Sequence, residues 1–517
     1  MLAKTPQRPM GLQRALSLAL AALAATSPLW SADPSLAQSN APAAVDAAAH
    51  RPEAPMTPLQ AAQQRQKRLQ EAGIADLTLL EAVPFGPGGV ERWRLANGLE
   101  LVIAADAHAP VVAVHTWVKV GSADETAGHT GLAHLFEHLM FKGTIRHPPG
   151  AFDRLLEQHG AAANAATWLD WTMYHQVVPP AHLAQVLDLE ADRLANLQLT
   201  QLALRAELEV VRNERMEVVD NHPDGQMDEA VWLAVFGTGP YGHPTLGLAS
   251  DLSRVTLTQA RDFYRAYYAP GNAALVLVGA VDVDAAIKAV VASHGALPAR
   301  PTPPRAKAIP VGSKVSRVVA IDSASARLAM VWPTVALDHP DHPALAVLAE
   351  LLAGADSTRL HRALVDGTQL ASHVSCDQTD LRLTGALEVR VALRPGKTAA
   401  QAESAVHALV AELLGAHPVS DAEVSGARNR MNTDELREIA SVDSRADLLG
   451  HTWATVGSLA GHAAWKQRLA GLQATDIQRA AQAWLKPGQL VTVHGEPRPL
   501  AAAPQRVSRK AAPGSTP

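Results

Sequence analysis

Apolar and polar positions alternate along this chain with two periods, one suited to strands and one to helices. Val90 to Asp106 reads as a strand pair folded around Asn97-Gly98, a dipeptide that favours tight hairpin turns. Val111 to Val120 reads as a further strand and Ala181 to Leu197 as a helix. Leu132, Leu135, Phe136, Leu139 and Met140 recur at i, i+3, i+4, i+7 and i+8, which is one apolar stripe on a helix, with Gly143 as its stop. The stretch from Leu204 to Glu217 consists of strong helix formers without Gly or Pro. Met56 to Gly73 reads as a Gln/Arg-rich helix outside the main fold.

The order of elements repeats. Thr258 to Pro270 has a helical pattern, continues through Pro270-Gly271, and leads into a β-rich run ending at Gly279. Thr475 to Pro487 does the same through Pro487-Gly488 and ends at Gly495. Such self-similarity implies two domains of common ancestry. The join is proline-rich, with Pro298, Pro301, Pro303, Pro304 and Pro310 between periodic regions. The expected fold class is α+β: two homologous domains, each a mostly antiparallel sheet packed with helices. We expect the first domain at 84–297, a linker at 298–315 and the second domain at 316–496. An Ala/Pro-rich linker with a short helix (38–83) precedes them, and a disordered tail (497–517) follows.

Composition narrows the function. The 517 residues are 48% apolar, enough for substantial cores, and the formal charge of -5 does not favour a polyanionic partner. No basic stripe or aromatic platform points to nucleic acid. Cys376 is the only cysteine, which excludes an intrachain disulfide and a cysteine-based metal site. At the N-terminus, Lys4, Arg8 and Arg14 precede an apolar run from Ala15 to Ala25, and Ser35-Leu36-Ala37 supplies small residues for a cut. This is the pattern of an export signal over residues 1–37, implying a periplasmic or secreted protein. The apolar run is too short to span a bilayer, so no membrane span is expected after its removal.

The chemistry concentrates in His134, Glu137 and His138, an H-x-x-E-H pattern. Helical residues four apart stack on one face, so both imidazoles can reach one metal ion. Glu137, beside the second histidine, can take a proton from water at that ion. Two histidines leave a catalytic zinc one protein ligand short. Glu207 and Glu214 are the best candidates for it; seven residues apart, they lie two turns along one helix face. They also fit an ordinary solvated acidic face. His129, His175, His222 and His243 have no ligand spacing to this group and read as loop or packing residues. Trp168 and Trp171 fit sheet packing as well as substrate contact.

Several blocks together give the chain a family resemblance. Gly121-Ser122 and Glu125 precede the motif, and Phe141-Lys142-Gly143-Thr144 follows it. Asn164-Ala165 and Thr167 lead into Asp170, Thr172 and Tyr174. Tyr241-Gly242-His243-Pro244 stands before Gly247, and Tyr268-Ala269-Pro270 before Leu275 to Gly279. In this order, over most of residues 90 to 495, the chain resembles the insulinase/pitrilysin family of zinc peptidases, which includes the mitochondrial processing peptidases and bears the inverzincin motif.

The resemblance implies one zinc ion per chain, held by His134, His138 and Glu214, since the family's third ligand is a Glu 76 residues beyond the second motif histidine. It implies Glu137 as general base and Glu207 as a supporting carboxylate. Asn164 and Ala165 match the family's substrate-binding edge strand, where an extended peptide adds by main-chain hydrogen bonds. The second half resembles the family's inactive half. There the family carries an Arg and, seven residues on, a Tyr that hold the substrate backbone; here the positions fall on Val365 and Ser372, with Arg359 and Arg362 out of register. The family encloses its substrate in a chamber of four related domains, and this chain supplies two. The expected assembly is therefore a heterodimer with a zinc-less relative bearing the Arg/Tyr pair, ahead of a homodimer. The expected activity is zinc-dependent endopeptidase action on peptides or unfolded segments. The alternative is a non-catalytic family subunit serving assembly or peptide binding.

Overall fold

Runs rich in β-branched and aliphatic residues form the strands of two sheets, and the central ones are buried on both faces. The computed structural model describes residues 56–498 apart from 87, 162 and 309–313. The expected export signal, and the tail from 499 onward, lie outside the described residues.

The strands of the first sheet are β1 (Leu77–Val83), β2 (Val90–Leu95), β3 (Glu100–Ala105), β4 (Val112–Val118), β5 (Ala163–Thr167), β6 (Thr172–Val178) and β7 (Ala273–Gly279). Their spatial order is β1-β2-β3-β7-β4-β6-β5. Every pairing is antiparallel except β3 with β7. The β2–β3 hairpin turns at Asn97-Gly98, as expected; Gly98 has φ 91°, and Asn97 Nδ2 donates to the His294 carbonyl at 2.7 Å.

The second sheet contains β8 (Val315–Ile321), β9 (Arg327–Thr334), β10 (Ala371–Gln378), β11 (Gly385–Leu393) and β12 (Val491–Pro497), in the order β10-β11-β9-β12-β8. Only β12 with β8 is parallel. Read from β8, this sheet repeats the first from β3 onward: β8 matches β3, β12 matches β7, β9 matches β4, β11 matches β6 and β10 matches β5. The repeat expected from the two Pro-Gly segments is therefore a repeat of topology. Each half is a mostly antiparallel sheet packed with helices, the expected α+β class.

The two halves exchange helices. The face of the first sheet that carries Trp117, Val276 and Val278 is covered by the helix Val442–Thr455, through Val442, Leu449 and Trp453. The face of the second sheet that carries Ile321, Val331 and Val493 is covered by the helix Pro223–Phe236, through Met227, Val231 and Val235. Fully burying each large apolar side chain contributes about 1.5–3 kcal/mol, so this exchange is a major part of what holds the halves together. Polar groups extend it: Trp453 Nε1 donates to Glu100 at 2.7 Å, and Glu100 in turn pairs with Arg92 at 2.6 Å. Arg305, in the proline-rich join, lies 3.2 Å from Asp124 and donates to the Ala454 carbonyl at 3.0 Å.

Three sequence expectations are corrected, the first being that β1, in the segment read as linker ahead of residue 84, is a strand of the first sheet. The N-terminal helix, Pro58–Glu71, is not outside the fold: Ala62 and Leu69 enter the first core, and Arg65 pairs with Glu91 at 3.2 Å. Two small or apolar residues on one face suffice for this contact, while Leu59 stays exposed, which a mean composition hides. Strand β12 also runs to Pro497, and Arg498 N donates to the Ile321 carbonyl at 2.8 Å, so the ordered second half extends into the segment read as tail.

Candidate active site

The H-x-x-E-H segment is the helix Leu132–Leu139, shorter than its apolar stripe predicts; two further turn bonds carry the chain to Gly143 at φ 92°. Its N-terminus lacks a side-chain cap because Gly131 occupies that position at φ 90°. Glu125 replaces the cap, accepting from Gly131 N at 2.8 Å and Ala133 N at 2.7 Å. Burial nevertheless pushes the Glu125 carboxyl up to about 8 against those two bonds. Gly131 and Gly247 cross so closely that a Cβ on either would strike the other strand of backbone. Phe136, on the far face, stacks on Phe263 and Tyr264, and Tyr174 Oη donates to the Phe136 carbonyl at 3.1 Å. The apolar stripe therefore fixes the helix from one side and leaves the motif side to the chemistry.

Glu207 and Glu214 both lie on the helix Gln201–Arg215, which packs beside the motif helix. Glu214 Oε2 stands 3.3 Å from His138 Nε2 and 3.7 Å from His134 Nε2. The ligand atoms of His134, His138 and Glu214 all lie within 4.8 Å of one another. Glu207 Oε2 lies 3.5 Å from His138 Nδ1, on the opposite side of that ring from Glu214, and its other oxygen pairs with Lys142 at 2.8 Å. The end of the helix is tied down by Arg215, which donates to the Gly247 carbonyl at 2.7 Å and pairs with Glu229 at 2.7 Å. Beyond it the chain makes a π-helical turn, Met216–Asp220.

The electrostatics suit a cation. Burial opposes charge on His138, but the carboxylates of Glu207 and Glu214 on either side of the ring override it and push the imidazole up to about 9. Burial alone would raise Glu214 and Glu207; their histidine and lysine partners outweigh it and hold both carboxyls below the usual range. His134 is lowered by its burial. Two imidazoles and one carboxylate form an N2O donor set of the kind a catalytic zinc takes, with room for a fourth, non-protein ligand. The residues present fit that metal, and a carboxylate behind the second histidine is the usual way such a ring is oriented.

His134 and Glu137 open on a cavity of about 300 Å³ between the two halves. Its walls include Trp168, Glu229 and Trp232 from the first half and Asp377, Glu388 and Arg390 from the second. Asn164 and Ala165 lie on β5, an edge strand hydrogen-bonded only to β6. Trp171 is core and packs on Trp117, whereas Trp168 faces the cavity and meets Trp232 edge-on. Val365 is half-buried against the second core, and Ser372 is exposed on β10 with its hydroxyl on the Ala392 carbonyl at 3.1 Å. Neither replaces an Arg/Tyr pair. Nothing local marks Glu229 and Arg390 as cavity residues, and His243, read as a loop or packing residue, also lines the cavity; the three come together only through tertiary packing. In the second half, the place of the motif helix between the matching strands is taken by His342–Ala353, which is buried at ten of its twelve residues and carries a single histidine in place of the H-x-x-E-H pattern.

Fold and site define a class: a two-lobed protein in which one lobe gathers His134, His138 and Glu214 from an inverted H-x-x-E-H helix and its neighbour, and the other, among the described residues, has no such helix. The sequence model described as "Insulinase (Peptidase family M16)" matches residues 101–248, and that described as "Peptidase M16 inactive domain" matches residues 254–431. The chain belongs to the insulinase, or M16, peptidase family. It is 28% identical to the zinc protease PqqE of Helicobacter pylori over 79% of this chain and 93% of that protein. It is 26% identical to a protein of Arabidopsis thaliana described as a probable mitochondrial-processing peptidase subunit beta, over 76% of this chain and 75% of that one. The crystal structure of a Helicobacter pylori protease superposes with a TM-score of 0.75 at 26% identity, covering 79% of this chain and 99% of that one. The first half of the Escherichia coli protease PqqL shares the fold at a TM-score of 0.66 and 19% identity, covering 80% of this chain and 93% of that one.

Proposed function

We propose that this chain is a zinc-dependent endopeptidase acting on peptides or unfolded segments. The observation that carries the reading is the convergence of His134, His138 and Glu214 next to Glu137 on the wall of an interlobe cavity. His134, His138 and Glu214 would hold the ion, and Glu207, behind the His138 ring, would orient it. When bound, zinc supplies Lewis acidity, polarising a carbonyl oxygen and lowering the pKa of water to about 7. Glu137 takes a proton from the attacking water on its carboxylate and returns it to the leaving amine nitrogen. The main chain of β5 at Asn164 and Ala165 offers its free edge to an extended substrate, which favours backbone over side-chain recognition.

Because Val365 and Ser372 cannot supply the substrate-holding pair, the active assembly is a heterodimer with a zinc-less relative that has it. Peptide enters the chamber formed between the two chains. The N-terminal charge and hydropathy pattern supports action in the periplasm or outside the cell. A non-catalytic role in assembly or peptide binding is the second reading, and the intact donor set with Glu137 argues against it. The test is Glu137→Gln, assayed with a quenched peptide in the presence of the co-expressed relative. The expected result is full zinc content with turnover lost by at least about 100-fold, as general-base removal costs. Wild-type turnover in that variant refutes the assignment of Glu137; wild-type protein that binds zinc and peptide without cleaving it supports the second reading.

A further inference from the structure

We infer that a second divalent-cation site, fit for zinc, lies on the opposite face of the first sheet, formed by His115, His175 and Asp443. His115 on β4 and His175 on β6 are directly opposite each other in the antiparallel ladder. Successive strand residues point to opposite faces. Tyr174 therefore faces the H-x-x-E-H helix, with its hydroxyl on Phe136, while His175 faces away from it. Asp443 comes from the other half of the chain, in the first turn of the helix Val442–Thr455. Its Oδ1 lies 2.8 Å from His115 Nε2 and 3.3 Å from His175 Nδ1.

All three ligand atoms lie within 4.8 Å of one another, as do those of the group at His134. A tetrahedral ion with N and O ligands at about 2.0–2.1 Å separates those ligands by about 3.4 Å, so small side-chain shifts suffice. His115 is fully buried, and its Nδ1 has no partner; Nε2, aimed at Asp443, is its only engaged nitrogen. His175 and Asp443 are 22% and 40% exposed, which leaves a path from solvent. Two imidazoles with one carboxylate suit zinc better than a hard cation, which prefers oxygen alone.

No member of this group lines the cavity beside Glu137. The ion here is structural: it staples β4 and β6 of one half to a helix of the other, where the halves exchange helices. The sequence hides the site because Asp443 is 328 residues from His115.

The test uses the full chain with the first site disabled, His134→Ala/His138→Ala, stripped with a chelator and titrated with zinc chloride alone. Metal content after gel filtration and thermal unfolding are the readouts, so the outcome does not depend on peptidase activity. One equivalent of zinc per chain and a rise of several degrees in Tm are expected. Adding His175→Gln keeps a hydrogen-bond donor beside Asp443 and should leave the metal-free Tm within about 2 °C, while abolishing both the bound equivalent and the zinc-induced rise. Adding Asp443→Asn instead should also lose the equivalent. Absence of zinc from the first-site double variant, or retention of the equivalent with His175→Gln, overturns the proposal.

Discussion

Removing the Glu207 carboxylate tests how the site is held together apart from its ligands. Glu207 is buried, lies 3.5 Å from His138 Nδ1 and pairs with Lys142 at 2.8 Å. The contact to His138 is longer than a normal hydrogen bond, so its worth in the metal-free protein is modest; ligation of Nε2 makes the Nδ1 proton more acidic and strengthens it. A carboxylate behind a metal-bound histidine is worth about 10- to 100-fold in metal affinity, which is about 1.4–2.7 kcal/mol. Glu207→Gln keeps an acceptor and loses the charge, so zinc should bind about 10-fold more weakly. Glu207→Ala also frees the ring and should approach the 100-fold end. Lys142 is 37% exposed and recovers water, so its lost partner adds little. The assay is competition for zinc against a chelating dye at fixed pH, followed by turnover at saturating zinc. Affinity should fall in the order wild type, Gln, Ala, with most of kcat recovered by excess zinc. A folded Glu207→Ala protein with wild-type zinc affinity refutes the orienting role.

Other outcomes follow from the packing and the charges. A Cβ on Gly450 would overlap the Trp117 indole where the second half's helix meets the first sheet, so Gly450→Ala should cost about 2 kcal/mol despite its better helix propensity, with partial rescue by Trp117→Phe; thermal unfolding reads both. Glu423 is lowered to about 2, first by its hydrogen bond from Arg359 and against the cost of burial. Because the folded carboxyl titrates below its ordinary 4.5, its contribution is complete above about pH 4.5 and fades as pH falls toward 2. Glu423→Gln, which keeps the helix cap, should lose about 1 kcal/mol at pH 7 and match wild type near pH 2; the pair is partly exposed, which keeps the figure small.

Much of this was legible in the chain because it is local. The i, i+4 histidines and the apolar stripe beneath them fix a helix and its working face without any tertiary information. The Asn97-Gly98 hairpin and the two Pro-Gly segments likewise carry their geometry in a few residues. Glu214 is different: nothing nearby marks it over Glu207, and only the spacing implied by family resemblance singled it out. The structure gives the physical distinction, with Glu214 beside both Nε2 atoms and Glu207 behind one ring. What remained hidden depends on which surfaces meet. Amphipathicity says that Pro223–Phe236 and Val442–Thr455 have faces to bury, but not that each buries its face on the other half's sheet. The N-terminal helix was misread because Gln and Arg dominate its composition, while its apolar contact comes from Ala62 and Leu69 and its arginines pair with Glu91 and Asp284. His175 looked like a packing residue because its neighbours, His115 across the ladder and Asp443 from the other half, are invisible at its own position.

The direct test of the central claim is an anomalous difference map, collected at the zinc absorption edge from crystals of the zinc-loaded chain. The account predicts a peak about 2.0–2.2 Å from His134 Nε2, His138 Nε2 and a Glu214 oxygen, with Glu137 beside it. No peak there, or a peak with Glu214 turned away, would contradict it.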